Sequence, residues 1–422
     1  MHPKFIEQMQ QENFVALTPI QQAVYAPLSM GENVLGLAPT GSGKTLAYAW
    51  PLLEKLQPKQ GTQLLIIAPS QELGAQLNNV LRPWAKLLEL TTMSIIGGAN
   101  VKRQIEKLKK RPEVIIGTPG RLLNLINDKK LKLHLLKALI IDEADELLGQ
   151  EQTLNDCRKL VSFAPTDVQL AFFSATKAPI LDELTKWFGV TVKEIDVSQQ
   201  AHLRGEVIHY LVEVPTRKRL DALRKLGNMP DFYGLVFFKQ SATLNDAAKR
   251  LQYHGVKIAT LTSEGRQTTR QQALNALKKR EIKLLLTTDL AARGLDIAKL
   301  PAVVNYDLPK DTNTYIHRVG RTGRMGADGV IINLGNEHDL RLFKQLVHDL
   351  NYDLRPGYLY QQRIVEDLES VKQEVKPVSK VKVKPKVNDT PVKPESTKKR
   401  KKNRKKVQKN KGMRRKKSLE KN

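Results

Sequence analysis

The sequence has almost no cysteine and no long apolar run, and each absence excludes a class of protein. Cys157 is the single cysteine among 422 residues, which excludes an internal disulfide and a metal site built from several cysteines. The first residues, Met1 to Phe5, lack the apolar stretch of a secretory signal peptide. No apolar run approaches the roughly 20 residues that a membrane-spanning helix needs. We therefore expect a soluble, cytoplasmic protein with no membrane partner.

Acidic residues are scarce relative to basic ones. The chain has 70 Lys+Arg against 43 Asp+Glu, a net charge of +27, which indicates binding to nucleic acid or another polyanion. Much of this excess follows Val371, where 22 Lys+Arg accompany 4 Asp+Glu and no aromatic residue occurs. Such a segment cannot bury enough apolar surface to offset its ordering entropy. We predict a basic low-complexity tail over residues 356–422, disordered from about 371.

Short apolar runs alternate with amphipathic helical stretches before this tail. The strand candidates of the first half are Val34–Leu37, Leu64–Ala68, Val114–Ile116, Leu139–Ile141 and Leu170–Phe173. Those of the second half are Leu235–Phe238, Ile258–Leu261, Lys283–Thr287, Ala302–Asn305 and Val330–Leu334. Nearly continuous apolar strands separated by helices indicate parallel sheets covered on both faces. We predict two α/β domains, residues 1–197 and 206–355, joined by a polar linker at 198–205.

A glycine-rich segment follows the first predicted strand and reads Ala38-Pro39-Thr40-Gly41-Ser42-Gly43-Lys44-Thr45. Its glycines allow a tight loop whose backbone N–H groups face a phosphate, and the next helix adds its positive N-terminal end. Lys44 can reach the β- and γ-phosphates of a nucleoside triphosphate, and the Thr45 hydroxyl can ligate Mg²⁺. The segment therefore predicts a nucleotide site.

An acidic tetrad, Asp142-Glu143-Ala144-Asp145, ends the apolar run that begins at Ala138. Asp142 can complete the Mg²⁺ site, and Glu143 is then free to orient or deprotonate the attacking water. Alone, such a tetrad is usually a solvated loop. Together with the glycine-rich segment, in this order and after two buried-strand patterns, it indicates a nucleoside triphosphatase.

The two segments resemble those of the DEAD-box RNA helicases, and further motifs of that family follow in order. Phe14 with Thr18-Pro19-Ile20-Gln21 resembles the Q motif, and Thr288-Asp289 with Arg293-Gly294-Leu295-Asp296 resembles motif V. The resemblance covers roughly Phe14 to Asp349. It implies a bacterial-type ATP-dependent helicase with two tandem RecA-like domains, ATP and Mg²⁺ as cofactors, Gln21 at the adenine edge, Phe14 nearby and Asp296 at the ribose.

Motif VI and the coupling segment complete the catalytic expectations. Ser174-Ala175-Thr176 resembles the segment that couples the nucleotide site to strand separation, and His317 opens a motif VI sequence in which it would bridge the domains. Arg321 and Arg324 lie three residues apart, so on a helical turn they would share a face and stabilise the transferring phosphoryl group. Hydrolysis should then require closure of the two domains.

The resemblance also implies contacts to RNA, and small residues in these segments let the backbone approach phosphates. The corresponding positions are Gly97, Gly98, Thr118, Gly120, Arg121, Gln267, Arg270 and Thr288. Three departures from the family pattern are Ala38 in the glycine-rich segment, Gln71 in place of a cation, and Thr262-Ser263 in place of His-Gly. The last two bear on the strength of RNA binding.

Several alternatives remain open at this point. The main expectation is a monomeric helicase that unwinds short RNA duplexes or remodels ribonucleoprotein, in ribosome assembly or RNA turnover, on structured or ribosomal RNA. A clamp that locks onto RNA without unwinding would use the same residues. A DNA-directed helicase is disfavoured by Gln21 and by the acidic tetrad. We interpret the basic tail as a sequence-independent RNA tether rather than a solubilising extension.

Overall fold

The computed structural model describes residues 1–12, 14, 16–96, 101–198, 206–262, 267–292, 300–323 and 328–368, with the backbone alone at 101–103, 267, 268 and 271. Its α-helices are α1 (Pro3–Gln11), α2 (Pro19–Met30), α3 (Lys44–Leu53), α4 (Gln71–Leu87), α5 (Val101–Leu108), α6 (Pro119–Asn127), α7 (Ala144–Leu148), α8 (Glu151–Ser162), α9 (Leu184–Phe188), α10 (Arg219–Gly227), α11 (Ser241–Tyr253), α12 (Gln267–Lys278), α13 (Asp289–Ala292), α14 (Thr312–Val319) and α15 (Glu337–Leu346).

The strands divide between the two halves of the chain. Those of the first half are β1 (Val34–Leu37), β2 (Leu64–Ile67), β3 (Thr92–Ile95), β4 (Val114–Gly117), β5 (Ala138–Asp142), β6 (Gln169–Ser174) and β7 (Lys193–Asp196). Those of the second half are β8 (Val207–Glu213), β9 (Gly234–Phe238), β10 (Ile258–Leu261), β11 (Leu284–Thr288), β12 (Ala302–Asn305), β13 (Gly329–Gly335), β14 (Leu354–Pro356), β15 (Tyr358–Tyr360) and β16 (Arg363–Val365).

Each half builds one seven-stranded sheet, and both sheets belong to one compact unit. The first sheet has the order β3-β4-β2-β5-β6-β1-β7, and the second has the order β10-β11-β9-β12-β13-β8-β14. All pairings within these two sheets are parallel, whereas β15 and β16 form a separate antiparallel pair. The predicted class, two α/β domains with parallel sheets, is confirmed.

Apolar side chains cover both faces of each sheet. In β5, Ile140 joins one core of the first half while Leu139 and Ile141 join the other. In β9, Phe237 and Phe238 likewise point into opposite cores. Successive side chains of a strand alternate between faces, so a strand buried on both sides must be apolar throughout. This is why the central strands could be read from the sequence.

Four strands of the two sheets were not predicted. Three of them, β3, β7 and β14, lie at sheet edges, and β8 is next to an edge. The residues of β7 are mostly exposed, and those of β3 alternate between buried and half-buried. An edge strand is covered less completely, so its sequence carries more polar residues and loses the continuous apolar run. These strands complete the sheets on which the site is built.

The predicted start of the tail at residue 356 is wrong. Pro356 ends β14, which pairs with β8, and the β15–β16 hairpin continues the ordered chain to Val365. The three strands are too short to give a periodic signal, and tertiary pairing rather than local pattern defines them. Residues from 369 onward, including the predicted disordered segment, lie outside the described residues. No helix in the described part of the chain is long and apolar enough to span a bilayer.

Candidate active site

The glycine-rich loop joins the carboxyl end of β1 to the first turn of α3. Gly41 and Gly43 have φ of +85° and +88°, a left-handed conformation that favours glycine. A Cβ on Gly43 would also lie 2.5 Å from the Gln21 Nε2 atom. The Thr40 and Ser42 hydroxyl oxygens are buried without a hydrogen-bond partner among the described residues. A phosphate over this loop would supply the partners that these hydroxyls lack.

Lys44 lies beneath the same loop. Its ammonium donates to the carbonyl oxygens of Ala38 at 2.9 Å and Pro39 at 3.4 Å, and the residue is 7% exposed. Ala38 replaces the glycine expected there, yet its carbonyl still serves the lysine. A buried ammonium bound mainly to neutral carbonyls has a strong preference for an anion nearby. The residues present therefore fit a nucleotide phosphate group.

Gln21 ties the start of α2 to the glycine-rich loop. Its Oε1 atom accepts from the Thr18 backbone N–H at 2.9 Å, and its Nε2 donates to the Gly43 carbonyl at 3.3 Å. The ring of Phe14 packs edge-on to Trp50 and Trp84, with centroids 6.3 Å and 6.1 Å away. Both predicted adenine-side residues are thus anchored to the loop or to the adjacent core, and their contact with adenine stays a prediction.

Asp142 ends β5 with both carboxylate oxygens engaged. Oδ2 accepts from the Tyr48 hydroxyl at 3.0 Å, and Oδ1 accepts from the Glu143 backbone N–H at 3.0 Å. Burial and the charge of Glu143 raise the pKa of Asp142 to about 7, although Lys44 acts in the opposite direction. A divalent cation beside this carboxylate would favour its charged form.

Tyr48 is a site residue that the sequence reasoning missed. Its side chain is completely buried, and its hydroxyl interacts with Thr45 as well as Asp142, the two residues predicted to hold Mg²⁺. Burial and the charge of Asp142 raise the pKa of Tyr48, so the hydroxyl remains a donor. Tyr48 lies one helical turn after Lys44 in α3, and that spacing is the signal that could have identified it.

Glu143 has the unusual φ of +51°, which turns the chain from β5 into α7. Its Oε2 atom is buried and has no hydrogen-bond partner among the described residues. A left-handed non-glycine residue is costly, and such positions are concentrated at functional sites. The free carboxylate oxygen is available to a water molecule at the nucleotide, as a general base requires.

Asp145 joins the acidic tetrad to both halves of the molecule. Its Oδ2 atom accepts from the Thr176 hydroxyl and lies 3.2 Å from His317 Nε2 of α14. Burial favours the neutral carboxyl, but the bonds from His317 and Thr176 outweigh it and lower the pKa of Asp145. Burial also opposes charge on His317, whereas Asp145 raises the pKa of His317 overall. Ser174 donates to the Thr176 carbonyl at 2.6 Å and accepts from its N–H, which fixes this turn.

The two halves also approach each other at two further points. A Cβ on Gly320, which follows α14, would lie 2.9 Å from the Thr40 hydroxyl oxygen in the glycine-rich loop. Arg270 of α12 pairs with Glu72 of α4 at 2.8 Å and donates to the Ala291 carbonyl at 2.6 Å. Arg270 was predicted to contact RNA, and in this structure it joins the two halves of the chain through protein groups.

The comparisons with known proteins fit this arrangement. The chain matches the DEAD/DEAH box helicase family over residues 18–184 and the helicase conserved C-terminal domain over residues 218–326. It is 38% identical over 338 residues to the probable ATP-dependent RNA helicase YfmL of Bacillus subtilis, which covers 80% of this chain and 89% of that protein.

The chain belongs to the DEAD/DEAH box helicase family. A second bacterial relative, the DEAD-box ATP-dependent RNA helicase CshC of Bacillus cereus, is 33% identical over 386 residues, covering 91% of this chain and 99% of that protein. Among solved structures, S. cerevisiae Dbp5 bound to RNA and ADP BeF3 superposes with a TM-score of 0.76 at 26% identity, covering 89% of this chain and 97% of that one. The predicted resemblance is confirmed.

One arginine of motif VI, Arg321, differs from the prediction in one respect. Helix α14 of this helicase ends at Val319, and Arg321 lies in the turn beyond it. Gly323 with φ of +66° bends that turn, so Arg321 does not lie on a helical turn as expected, and a face shared with Arg324 stays a prediction. Arg321 borders a cleft of about 240 Å³ that is also lined by Asp145 and His317. Arg324 lies outside the described residues, as do Gly97, Gly98 and Asp296.

Arg318 is a second residue of this helicase that sequence reasoning left without a role. Its guanidinium pairs bidentately with Asp289 at 2.7 Å and 2.8 Å, and it also donates to the Asn305 side chain at 2.7 Å. The guanidinium lies over the ring of Phe237, 4.8 Å from its centroid. These bonds fix α14, and with it His317, against the carboxyl ends of β9, β11 and β12.

The remaining RNA-facing candidates lie where strands end. Thr118 and Gly120 are at the start of α6 after β4, and Arg121 donates to the Gln104 Oε1 atom at 3.2 Å from both Nε and Nη2. Thr288 ends β11 and its hydroxyl accepts from the Ala291 N–H at 3.4 Å. Gln267 begins α12, and the structure describes only its backbone. These positions remain predictions as RNA contacts.

Proposed function

We propose that this chain couples ATP hydrolysis to local strand separation in short RNA duplexes. Membership of the family makes it an ATP-hydrolysing RNA helicase, and the residue roles are the proposal. The main support is the position of Asp145, which contacts both Thr176 of its own half and His317 of the other half. A change at the nucleotide that moves the tetrad therefore reaches both halves of the helicase.

The proposed nucleotide site rests on the buried hydroxyls of the glycine-rich loop, which lack partners among the described residues, and on the buried Lys44 ammonium. The glycine-rich loop and Lys44 hold the phosphates, and Gln21 with Phe14 borders the base. No cluster of three or more His, Cys, Asp or Glu side chains able to hold a metal occurs in the described part of the chain. A single carboxylate, Asp142, with the Thr45 hydroxyl suits Mg²⁺, which usually takes its other ligands from phosphates and water. When bound, Mg²⁺ supplies neutralising charge at the phosphates.

The chemical step is assigned to this chain's own carboxylate and arginines. Glu143 accepts the proton of the attacking water, a role supported by its buried and unpartnered Oε2 atom. Arg321 and Arg324 stabilise charge on the transferring phosphoryl group. Because these arginines belong to the second domain, residues 206–355 with its β14–β16 extension, hydrolysis requires both domains.

RNA is proposed to lie across the carboxyl ends of β4 and β11, near Arg121 and Thr288. Support comes from Dbp5, whose structure contains RNA and which shares this fold. Closure of the two domains holds one strand in a bent conformation that a duplex cannot adopt, so a short duplex opens locally. We place the protein in the cytoplasm as a monomer that acts on structured or ribosomal RNA or on ribonucleoprotein, with the basic tail as a tether.

The test is the steady-state ATPase rate of the full chain without nucleic acid, with RNA and with DNA, together with strand separation of a short RNA duplex. Strong stimulation by RNA and ATP-dependent separation are expected. Stimulation by RNA without separation would assign the role of an RNA clamp. Equal stimulation by DNA would contradict RNA specificity.

A further inference from the structure

A strongly basic surface lies at the end of the first sheet opposite the nucleotide loop. We call Lys107, Lys109, Lys110, Arg111, Lys129, Lys130 and Lys132 the basic rim. All seven are exposed; Lys107 lies in the last turn of α5, and the other six follow α5 or α6 at the side where β4 and β5 begin. The turns that form the rim are tight, since Arg111 and Lys129 adopt φ of +54° and +57°. The motifs of the helicase do not use this surface.

The seven cations of the basic rim outnumber the exposed carboxylates beside them, Glu106 and Asp128. Among the described residues, none of the seven cations lies within 4.0 Å of a carboxylate. The nearby Glu113 is buried, and its oxygens accept from the Lys59 and Thr91 backbone N–H groups and the Thr91 hydroxyl. The helix dipole favours a cation at the carboxyl end of α5 and of α6, which accounts for one or two of these residues rather than seven.

A cavity of about 170 Å³ gives the basic rim a defined centre. Arg111, Lys130, Lys132 and His134 line it, so donors from two separate chain segments converge on one small space. Leu135 also borders the cavity and is 39% exposed, which offers an apolar contact for a ribose or a base. Cations that converge beside an apolar contact form a better binding site for a phosphodiester chain than cations dispersed over a surface.

The basic rim is connected to the proposed RNA groove by two helices. Helix α5 begins just after Gly98 and α6 begins just after Thr118, both predicted RNA contacts, and each helix ends at the rim. Eight or nine helical residues span roughly 12–14 Å, at about 1.5 Å per residue. An RNA strand that leaves the groove along these helices reaches the rim within a few nucleotides.

We infer that the basic rim is a second RNA-binding surface of this helicase, which holds the phosphates of the segment flanking the strand in the groove. The inference rests on the proposed groove. Binding is to phosphates and is therefore independent of sequence. The rim adds affinity for long or structured RNA without taking part in hydrolysis, and it acts from a fixed position on the first domain.

The test uses the full chain with Lys109, Lys110, Lys129 and Lys130 changed to Gln. A matched control carries the same change at Lys218, Lys225, Lys249 and Lys257, which are exposed on the second half. Binding of a single-stranded RNA of about 10 nucleotides and of one extended by about 20 is measured against KCl concentration. Each phosphate contact to a single strand contributes about 0.7 to the slope of log K against log salt. Loss of the four lysines should therefore lower the magnitude of that slope by about 3 for the long RNA in the rim variant. The control should change little.

The short RNA separates this inference from the proposed function. It should bind and stimulate the ATPase equally in the parent, the rim variant and the control. If neither RNA stimulated the ATPase of the parent protein, the proposed function itself would be refuted. As a second measurement, chemical acetylation should be blocked at Lys109 and Lys130 by the long RNA and not by the short one. Equal slopes in rim variant and control, or no protection, would overturn the RNA assignment in favour of an acidic protein partner.

Discussion

Tyr48→Phe is the substitution that tests the site geometry most directly. It removes one oxygen from a completely buried ring and keeps the ring's shape. Asp142 Oδ2 then loses the donor that lies 3.0 Å away, while Oδ1 keeps the Glu143 N–H. Asp142 is 3% exposed, so water cannot easily replace the hydroxyl. The substitution therefore leaves a buried carboxylate oxygen with an unmet hydrogen bond.

The size of the effect follows from the loss of that bond. Leaving a buried acceptor without its partner costs about 1–3 kcal/mol, so we expect a loss of about 2 kcal/mol in the unfolding free energy of the first domain. For a domain of this size, each kcal/mol corresponds to about 2–4 °C, which gives a fall of about 4–8 °C in its thermal midpoint. A freer Asp142 should also raise the Mg²⁺ concentration needed for nucleotide binding by about tenfold.

Two measurements check this expectation, thermal unfolding without nucleotide and Mg²⁺ titration of the binding of a fluorescent ATP analogue. Tyr25→Phe is the matched control, because the Tyr25 hydroxyl donates to Glu54 Oε2 at 2.7 Å in the same half of the chain. That variant should be destabilised and keep its Mg²⁺ requirement. An unchanged Mg²⁺ requirement in Tyr48→Phe would refute the idea that this hydroxyl positions Asp142.

Three further outcomes are expected. Glu143→Gln should bind ATP and RNA and stop turnover, as measured by equilibrium binding and phosphate release; lost ATP binding would instead make Glu143 a ligand. Asp145 raises the pKa of His317 above 6.5, so the contact between them should be strongest below that pH and weaken as pH rises through the raised value. The difference in thermal midpoint between the parent and His317→Gln should shrink over the same range, and a constant difference would contradict this. Arg318→Lys cannot keep the bidentate pair with Asp289 and should cost about 2 kcal/mol in denaturant unfolding, with the ATPase rate falling as α14 shifts.

The sequence determined the central architecture because its causes are local. A strand buried on both faces must be apolar along its length, so β1, β2, β4, β5 and β6 could be read from residue order. The glycine-rich loop needs left-handed backbone at Gly41 and Gly43, and glycine spacing records that need. The acidic tetrad begins at the last residue of β5, so its place at the carboxyl end of a strand also followed from residue order alone.

The tertiary structure decided what depends on residues far apart in the chain. Tyr48 and Asp142 are 94 positions apart, and Asp145 and His317 are 172 apart. Local spacing or a motif can mark Tyr48 or His317 by itself, but not the residue that each contacts, because the burial and hydrogen bonds that join them exist only after the sheets have formed. Edge strands such as β7 and β14 owe their conformation to a neighbour's hydrogen bonds more than to their own residues. The sequence by itself thus determined the motifs and the central strands, whereas only the folded chain could show which side chains hold those motifs in place.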